Sequence, residues 1–233
     1  MENTMSDKLR KQLEQILRNA GAVLVGYADL KKFNPFGFPT GVSVAVPIPK
    51  DIIFGIEDGP TLAYHEMYTI LNNKLNDIVT EGVQFLESQG YHAYAQTTQN
   101  VSLDRDWVSP LPHKTVATGA GIGWIGKSCL LVTPEYGSAI RISSLLTDAP
   151  LPCAMPITSS KCGNCTCCVD ACPAHALKGT LWKAQMPREE IFDKDICYKT
   201  QREIMLERTG IDTDLCGKCF VVCPYTRNYL SRK

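Results

Sequence analysis

The sequence predicts an α+β fold in two parts, an α/β domain over residues 1–150 followed by a smaller module over residues 151–233. Two observations indicate this division. Before residue 150, apolar residues recur with the periods of helices and strands, which is typical of a layered domain with its own core. After it, cysteine organises the chain, since nine of its eleven cysteines lie in the range from Cys162 to Cys223. The proline-containing stretch 149–156 separates the two parts.

Helix-period patterns appear twice in the first part. Apolar residues share one face over residues 6–19, after a cap at Ser6, and this pattern predicts a short amphipathic helix. A longer helix is predicted over residues 60–89, where Pro60 suits the first turn and Gly90 ends the pattern.

Strand-like segments lie between and after these helices. Alternating valines over residues 42–46, closed by Pro47, predict one strand, and further strands are predicted at residues 22–25 and 91–95. Residues 113–120 predict one or two helical turns.

Two more strand-like segments, 129–132 and 138–146, flank the turn at residues 133–137. Strands on either side of a short glycine-containing turn are typical of a β-hairpin. We therefore expect these two segments to pair with each other.

The charge balance gives no support to a protein that binds nucleic acid or an anionic membrane surface. Lysine and arginine number 24, and so do aspartate and glutamate, so the formal net charge is zero and no footprint for nucleic acid or an anionic membrane surface is present. No apolar run reaches the roughly 18 residues of a spanning helix, and the polar first residues lack the apolar region of a secretory signal. We expect no membrane partner and a cytoplasmic location, in which cysteines stay reduced.

The spacing of the cysteines predicts the chemistry of the second part. Cys162, Cys165, Cys168 and Cys172 follow the pattern C-x2-C-x2-C-x3-C, with Pro173 directly after. This is the bacterial ferredoxin run, in which the first three thiolates hold one 4Fe–4S cubane and the fourth crosses to a second cubane. Such short spacings wrap three thiolates around one face of a cubane and present backbone N–H groups to the sulfurs.

A second copy of the motif supplies four more cysteines, with a long insertion after the first of them. The crossed rule predicts two ligand sets, which are Cys162, Cys165, Cys168 and Cys223 for one cluster and Cys172, Cys197, Cys216 and Cys219 for the other. Two clusters that share motifs in this way lie close together and form an electron path.

Zinc binding is the alternative interpretation of paired cysteines. Zinc ribbons use two Cys-x2-Cys pairs and need neither a third cysteine nor a Cys-Pro step in each half, so the spacing favours iron–sulfur clusters. The remaining cysteines, Cys129, Cys153 and Cys167, are expected to be buried thiols that pack as small apolar side chains.

Residues 121–128, here called the glycine loop, read Gly-Ile-Gly-Trp-Ile-Gly-Lys-Ser and match both the dinucleotide fingerprint and the P-loop pattern. Both motifs need a strand before the loop and a helix after it, so that phosphate rests on the helix N-terminus. Here a helical segment precedes the loop and a strand-like segment follows, which argues against a nucleotide site. Such glycines either let a flat cofactor approach the backbone or form a tight turn that packs Trp124 into the core.

The segment 120–127, with Tyr136-Gly-Ser, Leu146-Thr-Asp, Leu151-Pro and the two Cys-Pro motifs, resembles the epoxyqueuosine reductase family and its short relatives. The resemblance covers roughly residues 105–225. It implies a nitroreductase-like α/β domain that binds cobalamin in the base-off state, followed by a two-cluster ferredoxin-like domain, a plan shared with reductive dehalogenases. The cofactor-binding residues that it implies are Gly121, Ile122, Gly123, Trp124, Ile125, Gly126, Lys127, Ser128, Tyr136 and Trp107.

The base-off state has support that does not depend on the resemblance. The sequence contains no D-x-H-x-x-G pattern, by which corrinoid methyltransferases supply a histidine to cobalt. Cobalt without a strong axial ligand is easier to reduce, and an adjacent low-potential cubane is a suitable electron donor.

Two features depart from the family pattern. The family's catalytic aspartate stands fourteen residues before the first glycine of the loop, where this chain has Trp107. The catalytic candidates are therefore Asp106 and Asp104 just upstream, together with Tyr64 on the long helix. The sequence also ends at Lys233, directly after the second cysteine motif, whereas the tRNA-modifying enzymes continue with a helical region. We therefore expect a short form that does not act on tRNA.

Three functions fit these features. The first is a cobalamin-dependent reductase, in which a low-potential donor such as ferredoxin or flavodoxin feeds the clusters and the corrinoid reduces a small substrate. The second is a non-catalytic electron-transfer protein or corrinoid reductase that serves a partner protein, which the missing aspartate favours. The third is a flavin protein, since nitroreductases bind flavin.

Overall fold

The computed structural model describes residues 2–33, 35–102, 104 and 109–232. It divides into two compact units, each built from three stretches of chain. Unit 1 comprises residues 1–46, 71–122 and 141–157, and unit 2 comprises residues 47–70, 123–140 and 158–233. This division differs from two consecutive domains that meet at residue 150, because two earlier stretches of chain group with the cysteine-rich segment.

Helices and short strands are mixed along the chain, and the last four helices follow one another without a strand between them. In order, they are α1 Glu2–Asn19, β1 Leu24–Asp29, β2 Thr40–Pro47, α2 Lys50–Gly55, α3 Leu62–Ser88, β3 Ala93–Ala95, α4 His113–Gly119, β4 Trp124–Ile125, β5 Leu131–Val132, β6 Ile140–Thr147, α5 Cys167–Asp170, α6 Lys194–Thr209, α7 Lys218–Val221 and α8 Pro224–Ser231. Within the described ranges, no helix combines the length and the apolar character needed to cross a bilayer.

Unit 1 is built around a four-stranded sheet with the order β1-β2-β6-β3. β1 pairs antiparallel with β2, and β3 pairs antiparallel with β6. β2 lies inside the sheet, and all of its residues except Pro47 are buried. A strand that is buried on both faces carries no exposed polar side chains, so the valines of β2 alternate with the small residues Ser43 and Ala45.

Helices cover both faces of this sheet. α4 packs on one face, where Ala28 of β1 and Val116 of α4 belong to one buried cluster. α1 and α3 meet on the other face at Gly82 of α3, where a Cβ would lie 2.5 Å from Leu145 Cδ2 and 2.9 Å from Leu17 Cδ2. Glycine at this position lets the long helix approach both the sheet and α1.

Unit 2 contains a two-stranded sheet and the short helices that carry the cysteines. β4 pairs antiparallel with β5, and a tight turn follows in which Thr133 and Gly137 exchange backbone hydrogen bonds of 2.9 and 3.0 Å. Gly137 has a φ of 59°, and a Cβ there would collide with the backbone of Thr226 in α8. The buried Thr226 hydroxyl also accepts a hydrogen bond of 3.2 Å from the backbone N–H of Ser138. The turn is therefore seated on the helix that follows the last cysteine.

The structure confirms the valine-rich strand, the long helix and the short helix before the glycine loop as β2, α3 and α4.

Two predictions of secondary structure were wrong. α1 begins at Glu2, so Ser6 lies inside the helix, where its hydroxyl donates a hydrogen bond to the carbonyl of Pro150. Segments 129–132 and 138–146 form no hairpin, because β5 pairs with β4 and β6 joins the larger sheet. Local alternation identifies a strand but not its partner. The sequence patterns also missed α2.

Gly82→Ala is expected to lower the free energy of unfolding by about 1–2 kcal/mol. Alanine gains about 1 kcal/mol of helix propensity over glycine. Forcing a methyl group against the buried Leu17 and Leu145 costs about 2–3 kcal/mol, the upper part of the usual range for overpacking. The control is Gly55→Ala in α2, where a Cβ would meet no atom within 4 Å. Thermal unfolding followed by circular dichroism compares them, and a Gly82→Ala protein as stable as the parent would contradict the close approach.

Candidate functional site

The first cysteine motif is a tight turn followed by a one-turn helix. Gly163 adopts a φ of 54° between Cys162 and Cys165, and the Cys165 N–H donates to the Cys162 carbonyl at 3.1 Å. Cys168 lies on α5, and the buried Cys172 follows that helix. A positive φ is easily reached by glycine, so the turn brings the first two thiols of the motif together.

The second motif is spread over three helices. Cys197 lies near the start of α6, where the Asp193 carboxylate caps the helix by accepting two backbone hydrogen bonds of 3.1 Å. Cys216 precedes α7, Cys219 lies on it, and Cys223 is the N-cap residue of α8. α5 and α7 are in contact, which brings the two motifs together.

One group of thiols surrounds Cys168. The pKa of the Cys168 thiol rises to about 11, first because of burial and then because the thiols of Cys162, Cys223 and Cys165 act on it electrostatically. The thiols of Cys162 and Cys165 also help to raise the pKa of Cys223, after the larger effect of burial. This group joins three cysteines of the first motif to the last cysteine of the second, which is the composition of the first predicted ligand set.

A second group of thiols surrounds Cys197 and Cys219. Burial raises the pKa of Cys197 to about 11, with further contributions from the thiols of Cys172 and Cys216. Burial also comes first for Cys219, and the thiols of Cys216, Cys197, Cys168 and Cys172 then push its pKa well above the usual range. Because Cys168 belongs to the first group, the two groups of thiols are neighbours.

Grouped thiols of this kind are suited to iron–sulfur clusters. The ligand form is the thiolate, and burial together with mutual repulsion makes ionisation unfavourable unless a positive metal is bound. Across the part of the chain that the structure describes, no three His, Cys, Asp or Glu side chains could hold a single metal ion. A cubane is a larger body, in which each corner iron takes one thiolate. The residues therefore fit two cubanes, and the individual ligand roles stay a prediction.

The three cysteines outside the motifs differ in exposure. Cys129 is buried as expected, and its thiol contributes to the raised pKa of Cys197. Cys153 and Cys167 are exposed, contrary to expectation. Cys167 nevertheless stays beside the first motif, because a side-chain hydrogen bond with Cys165, followed by burial, raises the pKa of its thiol. Cys153 lies in an irregular stretch that no helix or strand covers.

The glycines of the glycine loop are required by contacts within the protein. Gly121 has a φ of 70°, and a Cβ there would lie 3.0 Å from the Met155 carbonyl oxygen. A Cβ at Gly123 would collide with the Val132 carbonyl, and one at Gly126 would lie 2.7 Å from Val132 Cγ2. α4 precedes the loop and short strands follow it, so both nucleotide motifs lack their strand–loop–helix context. The tight-turn interpretation is the one that these contacts support.

Trp124 is the buried centre of this loop. Its side chain is 1% exposed, and its ring meets Tyr225 in a T-shaped contact with centroids 5.0 Å apart. Tyr225 stands two residues after Cys223, so the ring pair connects the glycine loop to the end of the second motif. The indole N–H of Trp124 and the hydroxyl of Ser138 are buried and have no hydrogen-bond partner among the described residues. Buried polar groups without a partner are uncommon, and a bound water or ion is one of the explanations for them.

Lys127 is directed towards the first cysteine motif. Its side chain is 7% exposed, and its Nζ donates a hydrogen bond of 2.9 Å to the carbonyl oxygen of Cys165. Gly126 lies beside the same motif, since a Cβ there would be 3.6 Å from Cys162 Sγ. The lysine therefore bonds to the backbone of the cysteine turn.

The other predicted cofactor-binding residues have separate surroundings. Ile122 packs against the buried cluster around α4, and Ile125 pairs with Leu131 in the two-stranded sheet. The Ser128 hydroxyl accepts a hydrogen bond of 3.4 Å from the backbone N–H of Leu130, just after the glycine loop. The ring of Tyr136 is tilted against that of Tyr229, with centroids 5.0 Å apart.

Of the predicted catalytic residues, Tyr64 and Asp104 are described, whereas Asp106 and the cofactor candidate Trp107 lie outside the described residues. Tyr64 is buried, and its ring packs against Phe220 with centroids 6.1 Å apart. Phe220 directly follows a cysteine of the second motif, so Tyr64 lies beside that motif. Asp104 is exposed.

A buried polar network, which no sequence pattern indicates, surrounds His113 in unit 1. Its Nδ1 lies 2.8 Å from Ser144 Oγ, Ser144 donates to Gln96 Oε1 at 2.5 Å, and Gln96 Nε2 donates to the Leu111 carbonyl at 3.1 Å. Because the one hydroxyl proton of Ser144 is already used, His113 must donate from Nδ1. Burial, followed by the charge of Arg141, lowers the pKa of His113 to about 4.

Comparison with known proteins agrees with the geometry of the cysteines. Residues 161–226 match the family described as "4Fe-4S double cluster binding domain". This segment contains all eight cysteines of the two predicted sets. The second part of the chain is therefore an iron–sulfur module.

Curated relatives extend the match beyond this module. Epoxyqueuosine reductase of Listeria monocytogenes is 40% identical over 126 residues, which is 51% of this chain and 31% of that protein. The Lactococcus garvieae enzyme is 34% identical over 171 residues, which is 70% of this chain and 42% of that protein. The chain is similar in sequence to epoxyqueuosine reductases over up to 70% of its length. It spans less than half the length of these relatives.

Solved structures share the fold of this epoxyqueuosine reductase-like chain. The catabolic reductive dehalogenase NpRdhA superposes with a TM-score of 0.73 at 17% identity, covering 95% of this chain and 32% of that protein. A selenomethionine-labelled epoxyqueuosine reductase gives a TM-score of 0.60 at 20% identity, covering 95% of this chain and 66% of that protein. The predicted fold class, an α/β domain with a two-cluster ferredoxin-like module, is confirmed.

Cys197→Ser in this epoxyqueuosine reductase-like chain is expected to remove one cluster, because it deletes a predicted ligand of the second set. After anaerobic reconstitution, the parent should contain about eight iron and eight sulfide per chain, and the variant about four of each. The control is Cys153→Ser, which changes an exposed cysteine outside both motifs and should match the parent. Full iron content in the Cys197→Ser protein would contradict the ligand role.

His113 is expected to stay neutral in the folded protein down to about pH 5. Its folded pKa of about 4 lies below the ordinary value of about 6.5, so acid protonates the unfolded chain first. Above about pH 6.5, His113 therefore leaves the free energy of unfolding unchanged. As the pH drops towards 4, its contribution lowers the free energy of unfolding by about 3 kcal/mol.

Nitrogen-15 NMR of labelled histidines tests this prediction, with His113→Asn identifying the signal. The expected spectrum is that of a neutral ring with hydrogen on Nδ1. An imidazole that titrates near pH 6.5 would contradict the buried network.

Proposed function

We propose that this chain is a cobalamin-dependent iron–sulfur reductase, in which electrons pass from two 4Fe–4S clusters to a base-off corrinoid that reduces a small substrate. The observation that carries the proposal is the division of the eight motif thiols into two neighbouring groups, each of which draws cysteines from both motifs. When bound, the clusters supply single low-potential electrons and the corrinoid supplies a reducible cobalt.

In this proposal the two thiol groups are the two ligand sets. Their contact is supported by Cys219, whose thiol is influenced by Cys168 of the other set. Apolar side chains shield the thiols, since Ala176 and Leu177 are buried among Cys168, Cys172 and further cysteines of the second set. An apolar shell keeps water from the sulfurs and helps to set the reduction potential. Electrons could thus move between clusters over a short distance within unit 2.

Cobalamin is proposed as the second cofactor on three grounds. A reductive dehalogenase whose mechanism is described as B12-dependent superposes with a TM-score of 0.75 at 16% identity. The sequence offers no D-x-H-x-x-G histidine for cobalt. The buried N–H of Trp124 and hydroxyl of Ser138 lack protein partners among the described residues, and the amide groups of a corrinoid can supply both donors and acceptors. Although contacts within the protein already account for its glycines, the glycine loop is proposed, together with Tyr136, to lie against this cofactor.

The proton that a reduction consumes needs a donor from the protein. Trp107 stands at the position of the family's aspartate and cannot ionise, so Asp106 and Asp104 are proposed for this role. The buried phenol of Tyr64 beside the second motif is the further candidate.

Anaerobic reconstitution with iron, sulfide and cob(II)alamin tests this function. We expect about one corrinoid per chain and an EPR spectrum without coupling to an axial nitrogen, because no histidine motif for cobalt is present. Free cob(II)alamin in the same buffer is the control. An unchanged free-cobalamin spectrum would remove the proposal, and flavin absorption with fluorescence on denaturation would replace it by a flavin protein.

Electron transfer to a partner's corrinoid is the second candidate function, and Trp107 in place of the family's aspartate favours it. It predicts reduction of the partner's cobalt, dependent on the clusters, without turnover by the isolated chain. Small electrophiles should be assayed with reduced flavodoxin or ferredoxin as donor. An epoxyqueuosine-modified tRNA stem loop belongs in the same assay, because one relative was solved with it. Turnover of any of these supports the reductase and excludes the carrier role.

A further inference from the structure

Lys127 is an isolated buried cation. Among the described residues, it is the only charged side chain that is buried. Its hydrogen bond is to a neutral group, the carbonyl of Cys165, and no carboxylate forms a salt bridge with it in the described ranges. Burying an ammonium group is costly unless an opposite charge offsets the loss of water. Lys127 thus places a positive charge in the interior of unit 2, and no described carboxylate neutralises it.

The missing counter-charge fits the cluster that the first motif would hold. A cubane with its four thiolates is a dianion when oxidised and a trianion when reduced by one electron. Lys127 Nζ bonds to the backbone of Cys165, and a Cβ built on the neighbouring Gly126 would lie 3.6 Å from Cys162 Sγ. Both contacts are to the ligand set of Cys162, Cys165, Cys168 and Cys223.

We propose that Lys127 is a positioning residue that raises the reduction potential of the cluster held by the first ligand set. This proposal rests on the iron–sulfur part of the proposed function and does not involve cobalamin. A fixed positive charge stabilises the trianion more than the dianion, because the attraction grows with the charge of the cluster. Its burial keeps solvent from screening that attraction.

The test is a potentiometric titration of the reconstituted protein, followed by EPR of the reduced clusters. Lys127→Met keeps an unbranched apolar side chain as far as Cε but removes the ammonium group, with its charge and its hydrogen bond to Cys165. One of the two clusters is expected to shift to a more negative potential, while the other stays at the parental value. The control is Lys161→Met, which removes an exposed lysine directly before Cys162 and should leave both potentials near the parental values.

Lys127→Arg separates charge from shape. It retains the cation, so a potential close to that of the parent is expected. If Lys127→Met fails to assemble one cluster, the Lys127→Arg protein is used to test the proposal. About eight iron atoms per chain, together with the reduction potentials of the parent, would support it. Loss of the cluster in both variants would show that cluster assembly depends on the shape of the lysine side chain and not on its charge. That result would overturn the proposal.

Two further outcomes would also overturn the proposal. One is an unchanged potential in Lys127→Met, and the other is an equal shift in Lys127→Met and Lys161→Met. Both leave the parent with its two clusters and so leave the proposed function untouched. A parent chain that binds no clusters would remove the proposed function and this inference together.

Discussion

The second half of this protein depends on the grouping of eight thiols that come from two cysteine motifs. Burial and mutual repulsion raise the pKa of several of them, so the groups are unfavourable as thiolates without metal. Iron reverses that balance, because it binds the thiolate form. Folding of unit 2 and assembly of its clusters are therefore thermodynamically linked.

The glycine loop has a structural role that its sequence pattern does not reveal. Gly123 and Gly126 make room for β5, and Trp124 packs on Tyr225 after the last cysteine of the second motif. Lys127 reaches the turn of the first motif. The loop thus contacts both cysteine motifs. Its glycine pattern resembles a phosphate-binding site, but in this structure it lets the loop pack against the two motifs.

The sequence predicted what depends on local spacing. The cysteine spacing predicted two sets of cysteines, and the structure groups the same thiols, although their ligand roles stay a prediction; helical patterns predicted α3 and α4. The predicted hairpin was wrong because strand pairing is non-local: β6 has its partners in β2 and β3, far away in the sequence. The interaction of His113 with Ser144 and Gln96 was likewise out of reach, since three separate segments supply it. Asp106 and Trp107 lie outside the described residues, so their part of the site stays a prediction.

The interleaving of the two units has a consequence for biosynthesis. A ribosome releases the chain from its N-terminus, and domains made of one continuous stretch can fold as they emerge. Residues 47–70 and 123–140 instead belong with residues 158–233, which are synthesised after them. They must wait for these partners, so both predicted clusters can be completed only after Cys223, the last of the predicted ligands, has been synthesised.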